Sequence, residues 1–117
     1  MTIVISREQI MIKVIDEDMG SIDIGEISEV DAVLVRYLLS NKSRETDNPT
    51  IKEQAGRLMT GFKSSTDLEL AWDDVFLISL LLLIESVATN NPKVAEQAGR
   101  LLSKFEVAAS NIIVSPG

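Results

Sequence analysis

The chain has 117 residues, no cysteine and no histidine, with 45% hydrophobic and only 4% aromatic residues and a net charge of −7. That length is one domain with an aliphatic core. The missing residue types exclude disulfides, thiolate nucleophiles and imidazole-based catalysis or metal binding.

The charge is unevenly placed. Residues 1–31 hold eight acids against Arg7 and Lys13, a balance of −6, and the other 86 residues balance to −1. An acidic first quarter repels phosphate backbones, so direct nucleic-acid binding is disfavoured and a basic protein partner is favoured. No basic stretch precedes an apolar one at the start, and the longest apolar run, Val75–Ile84, is half of what a membrane span needs. The expectation is a cytoplasmic protein with no membrane contact.

In chain order, residues 1–27 form an acidic capping segment. Ser6-x-x-Gln9 has capping-box spacing, and Ile10, Met11, Val14, Ile15 and Met19 follow a helical stripe ending at Gly20, which predicts a helix. The rival reading is a β-hairpin, because Ile10, Ile12 and Val14 alternate, as do Ile22 and Ile24, around an acidic turn. That turn does not fit a calcium loop: counted from Asp16, Gly20, Ser21 and Ile27 occupy positions 5, 6 and 12, where an oxygen ligand, glycine and glutamate belong. Asp16, Glu17, Asp18, Asp23 and Glu26 are instead either a solvated loop or the contact surface for a basic partner.

Residues 28–65 and 66–110 are two copies of one unit. Glu29–Phe62 aligns without a gap on Trp72–Phe105, 43 residues later, with 15 of 34 positions identical. In the first copy, Ser28 and Asp31 have N-cap spacing, and Val30, Val33, Leu34, Tyr37 and Leu38 recur at helical intervals. After a turn at Thr46–Asn48, Pro49 opens a second helix whose inward stripe is Ile51, Ala55, Leu58 and Phe62. In the second copy, Thr66 and Glu69 cap an entry turn, an apolar helix runs to Ala88, and Asn91-Pro92 opens a helix with Val94, Ala98, Leu101 and Phe105 inward. Residues 111–117 read as a tail docked by Ile112 and Ile113.

An aliphatic helix, a polar turn with Asn-Pro, and a Val/Ile-x-x-x-Ala-x-x-Leu helix at this period resemble HEAT-type helical repeats. The resemblance covers about residues 29–107. It departs from the pattern where Lys52 is matched by Ala95, and two units are fewer than a solenoid needs. It implies an all-α fold of two tandem antiparallel helical hairpins, with the N-terminal helical or hairpin segment as a cap, and a surface that binds protein.

Within the duplicated Glu-Gln-Ala-Gly-Arg-Leu run, Glu53–Arg57 and Glu96–Arg100 are helix-stabilising i,i+4 pairs. Gly56 and Gly99 cost helix stability. Their explanation is close approach of a neighbouring backbone, an unchanged recent duplication, or a ligand-facing side on which Gln54, Arg57, Gln97 and Arg100 gather. The last makes Arg57 and Arg100 candidates for partner binding.

Val75–Ile84 is apolar all round except for Ser79, whereas its counterpart carries Arg36, Ser40 and Lys42. It is covered either by a second subunit, through Phe76, Leu80 and Leu83, or by the chain's own ends. Trp72 reads as a packing residue. Asp73 and Asp74 point about 100° apart on a helix and share no site. No phosphate loop, nucleophile elbow or metal cluster is visible. The expected function is therefore a non-enzymatic protein-binding module without cofactor, of inhibitor, immunity or adaptor type. The alternative is an assembly subunit acting through its own self-association.

Overall fold

The computed structural model describes residues 9–18 and 20–114, with side chains described to Val107. Strands β1 (Gln9–Asp16) and β2 (Gly20–Ser28) form a hairpin. Helices α1 (Glu29–Glu45) and α2 (Pro49–Ser64) follow, then strand β3 (Asp67–Leu70) and helices α3 (Trp72–Ala88) and α4 (Pro92–Val114). The strands form one mixed sheet in the order β2-β1-β3, with β1 antiparallel to β2 and parallel to β3. The fold is α+β, not all-α, and the repeat is not HEAT-like: each 43-residue unit is a strand and two helices.

The correction begins at residues 9–28, where the hairpin reading holds and the helix does not. Ile10, Ile12 and Val14 are fully buried while Gln9 and Ile15 are exposed, a period of two that a helix cannot produce. β-Branched residues at alternate positions suit a strand flanked on both sides. Gly20, at φ +77°, supplies a left-handed residue where the chain leaves the turn and enters β2 opposite Asp16. Gly25, at φ +116°, lies at a bulge beside Ile12. The Ser6 cap and Met19 lie outside the described residues. Thr66 and Glu69, expected to cap a helix, belong to the approach to β3 and to β3 itself, and the Thr66 carbonyl accepts from the Met11 N–H at 2.8 Å.

The register reveals how the copies are related. Gly25 and Leu68, 43 residues apart, both pair with Ile12; Glu26 and Glu69 pair with Met11 and Lys13; Ile27 and Leu70 pair with Ile10 and Val14. Each equivalent pair is placed symmetrically about Ile12. An approximate two-fold axis therefore passes through the middle of β1, and the two strand-helix-helix units face each other across it. A solenoid repeats by translation and leaves two open ends. A two-fold arrangement closes on itself, so two units suffice.

The helix signals fall largely as read. Ser28 caps α1, its hydroxyl accepting from the Asp31 N–H at 3.1 Å. Asn48 caps α2, accepting from the Thr50 and Ile51 N–H groups. Ala55, Leu58 and Phe62 of α2 are buried, as are Ala98, Leu101 and Phe105 of α4. The phase of α1 differs: Val30, Val33 and Tyr37 are exposed, while Ala32, Val35 and Leu39 are buried with Leu34 and Leu38. Leu34 and Leu38 sit at the boundary of two possible stripes, and the sheet selects the other one. α4 continues through Asn111–Val114, into the stretch read as a tail.

Gly56 and Gly99 have open space where a Cβ would stand, so close backbone approach does not explain them. Gly61 differs, since a Cβ there would lie 2.7 Å from Leu68 Cδ1, where α2 passes over β3. The Gly56→Ala/Gly99→Ala double variant should gain about 1–2 kcal/mol of stability, read as a raised urea midpoint with an unchanged slope. A lowered midpoint would contradict the open space at these positions.

Candidate binding surfaces

The helices cover one face of the sheet only. On the other face, Met11 lies between Glu26 and Asp67, and Lys13 lies between Asp23 and Glu69, each at directly opposed register positions. Opposed side chains stand about 5 Å apart, so Lys13 offsets two of these four carboxylates in part and the Met11 row has no cation. Among the described residues this face is uncovered and acidic.

The hairpin turn continues it. Asp16 Oδ1 accepts from the Asp18 N–H at 2.8 Å, which shapes the turn, and Asp16 Oδ2 accepts from Trp72 Nε1 at 2.7 Å. The Trp72 bond spans 56 residues and fixes the turn against the start of α3. Around it is a hollow of about 320 Å³ lined by Ile15, Asp16, Glu17, Asp18, Trp72 and Asp73, with Ala71 at its edge. Glu17 and Asp18 are exposed and Trp72 is half-buried, its ring 6.3 Å from that of Phe76. The hollow thus combines four carboxylates with an aromatic wall.

Of the acids singled out from the sequence, Asp16, Glu17 and Asp18 meet in this hollow, while Asp23 and Glu26 stand on the sheet face beyond it. Asp16 is also a structural residue. The Glu26 carbonyl accepts from Lys104 Nζ at 2.6 Å, tying β2 to α4. Trp72 and Asp73 had no local signal of belonging here. They arrive because β3 pairs parallel to β1 and α3 starts directly after it.

Arg57 and Arg100 are engaged inside the molecule. Arg57 Nη2 lies 2.7 Å from Asp74 Oδ1, and Arg100 Nη2 lies 3.1 Å from Asp31 Oδ1. Gln54 donates to the same Asp74 oxygen, and Gln97 to the same Asp31 oxygen, each at 2.9 Å. α2 therefore clamps the start of α3, and α4 clamps the start of α1, in the reciprocal pattern that the two-fold axis demands. The duplicated Glu-Gln-Ala-Gly-Arg run, with Asp31 and Asp74, is the latch between the copies.

Asp74 is almost wholly buried, which alone would raise its pKa. Hydrogen bonds from Gln54, Arg57 and the Ala71 N–H, with the Arg57 charge, outweigh burial and hold it below the usual carboxylate range.

The third surface is apolar. Val75, Ile78 and Leu82 of α3 are buried, and on the side turned away from them Phe76, Leu80, Leu83, Ile84 and Val87 are between 48% and 79% exposed. The chain's described ends do not cover this side. α1 packs beside α3 with Val33 and Tyr37 half exposed. Leu38 and Leu81 share the cleft between the two helices, as do their neighbours Lys42 and Glu85. No described helix is long and apolar enough to cross a membrane.

No protein-family model matches the chain, and no curated protein or solved structure matches it.

Proposed function

We propose that this chain is a non-enzymatic protein-binding module, acting in the cytoplasm as an inhibitor, immunity or adaptor protein, that receives a basic surface of its partner on the hairpin turn and the uncovered sheet face. The observation that carries the reading is the hollow in which Glu17, Asp18 and Asp73 surround the Trp72 ring. It suits a lysine or arginine side chain, which would meet carboxylates at its charge and an indole along its stem. Asp23, Glu26, Asp67 and Glu69 extend the negative field along the sheet and favour encounter with a cationic partner. Direct nucleic-acid binding is disfavoured by the same field.

The test is a pull-down from an extract of the source cells at low and high salt. The variant combines Glu17→Gln, Asp18→Asn, Asp23→Asn and Glu26→Gln, and leaves Asp16 in place because it holds Trp72. These exposed changes should each alter stability by no more than about 0.5 kcal/mol. Wild type should retain a basic protein at low salt and release it at high salt, as a screened interaction must, and the variant should retain none. Equal retention by wild type and variant would reject the acidic surface as the site. A second reading, in which self-association is itself the function, is favoured by the exposed side of α3.

A further inference from the structure

We infer that the exposed stripe of α3 is the seam of a two-fold dimer, in which α3 packs antiparallel on α3 of a second copy of this chain. The argument begins with spacing. Phe76, Leu80, Leu83 and Val87 follow one another at intervals of four, three and four, which keeps them on one line along the helix, as in helix–helix seams. That series reads the same in both directions. When the helix meets itself antiparallel about an axis midway between Leu80 and Leu83, Phe76 falls opposite the partner's Val87, and Leu80 opposite the partner's Leu83. The largest side chain of the stripe thus meets the smallest, and two leucines meet at the centre. Asp73 falls level with the partner's Asn90, so no like charges are brought together. A stripe built for an unrelated protein has no need of this symmetry; a stripe that must match itself does.

Area points the same way. With Ile84 on α3 and Val33 and Tyr37 on α1, the exposed apolar side chains present roughly 700 Å², close to the ~800 Å² per partner that a stable interface buries. A single patch of that size on so small a chain exceeds what a monomer leaves uncovered without use. The acids of the open sheet, Asp23, Glu26, Asp67 and Glu69, stand on the face turned away from the helices and so away from the seam, while those of the hairpin turn meet only its Phe76 end, through Trp72. The α1 copy of the stripe is not equivalent. After Tyr37 its corresponding positions become Ser40, Asn41 and Arg44, which places the axis on α3.

The inference extends the self-association reading, and its test changes none of the residues neutralised in the test of the acidic surface, so either can fail alone. It is tested by sedimentation equilibrium of the purified chain together with cysteine cross-linking, for which the chain's lack of native cysteine is convenient. Wild type should pass from 12.8 kDa to about twice that mass over micromolar concentrations. Leu80→Glu and Leu83→Glu should each weaken the dimer about 100-fold or more while leaving the helical circular dichroism intact, because both side chains are half exposed in the monomer. Phe76→Cys mixed with Val87→Cys should cross-link under mild oxidation. Val87→Cys alone should not, since its two copies would lie roughly 16 Å apart along the helix axis. A monomer at every concentration would overturn the inference and leave the face to a different protein. A dimer that survives both glutamate variants, or that links through Val87→Cys alone, would overturn the proposed seam.

Discussion

Phe62→Ala should cost about 3–5 kcal/mol of folding stability, and Phe105→Ala should cost a similar amount. The two rings stand 43 residues apart, at the ends of the inward stripes of α2 and α4, and both are 0% exposed. Each removal deletes the largest fully buried side chain of its unit and leaves a cavity that neighbouring helices cannot fill without shifting. Stability for a chain of this size is about 5–15 kcal/mol in total, so either variant consumes a large part of it. The two-fold arrangement makes a sharper prediction than burial alone. If the copies are energetically as well as geometrically equivalent, the two losses agree within about 1 kcal/mol, and they agree under urea by the same probe. A loss confined to one phenylalanine would mean that one copy carries the core and the other decorates it.

These two residues were legible because their signal is local and doubled. The stripe Ala55, Leu58, Phe62 has helical spacing, recurs intact as Ala98, Leu101, Phe105, and is terminated by the same Asn-Pro on the N-terminal side. The same holds for the helix boundaries, since Ser28, Asn48 and Pro49 act through hydrogen bonds and backbone angles within a few residues of themselves. The sheet was not legible to the same degree. β3 is four residues long, and its alternation, Asp-Leu-Glu-Leu, is too short to be distinguished from a helix entry. Its reason for being a strand is β1, more than fifty residues earlier. β1 in turn carries an alternating pattern and a helical one at once, through Ile10, Met11, Ile12, Val14 and Ile15, and only the presence of a partner on each side decides between them.

The repeat shows how a correct observation can support an incorrect architecture. A 43-residue period with two helices per unit is what a stacked solenoid would display. It is equally what a closed two-fold pair would display, because sequence identity between copies records that they share a fold and not how they face each other. The discriminating residues were Asp31 and Asp74. Both recur in the alignment, both are acidic at the start of a helix, and dipole compensation explains each without any partner. Their burial, and the arrival of Arg100 and Arg57 from the opposite unit, depend on the two-fold axis through Ile12. Likewise the acids of the hairpin were visible as charge, but their meeting with Trp72 and Asp73 depends on the parallel pairing of β3.

Asp74→Ala should cost about 2–4 kcal/mol, and its cost should depend on Arg57. The carboxylate is 2% exposed and accepts from Arg57, from Gln54 and from the Ala71 N–H at 3.0 Å, so removing it strips three donors at once and takes an acid from the first turn of α3. Arg57→Ala should cost about 1–3 kcal/mol, because it leaves a buried carboxylate without its cation. The Arg57 side chain is 59% exposed, which keeps the pair from the upper end of the range for buried ions. In a double-mutant cycle the coupling should be about 1–2 kcal/mol, with Asp31 and Arg100 giving a similar value across the axis. Acid titration supplies a second readout. Since folding lowers the Asp74 pKa, the unfolded chain takes up this proton first as pH falls. The contribution is complete above about pH 4 and is lost as pH drops through the lower folded value. Wild type should therefore lose urea stability between pH 4 and pH 2 more steeply than Asp74→Asn, whose side chain does not titrate. Equal slopes, with a coupling near zero, would mean that the latch is geometry without energy and that the apolar core alone holds the two copies together.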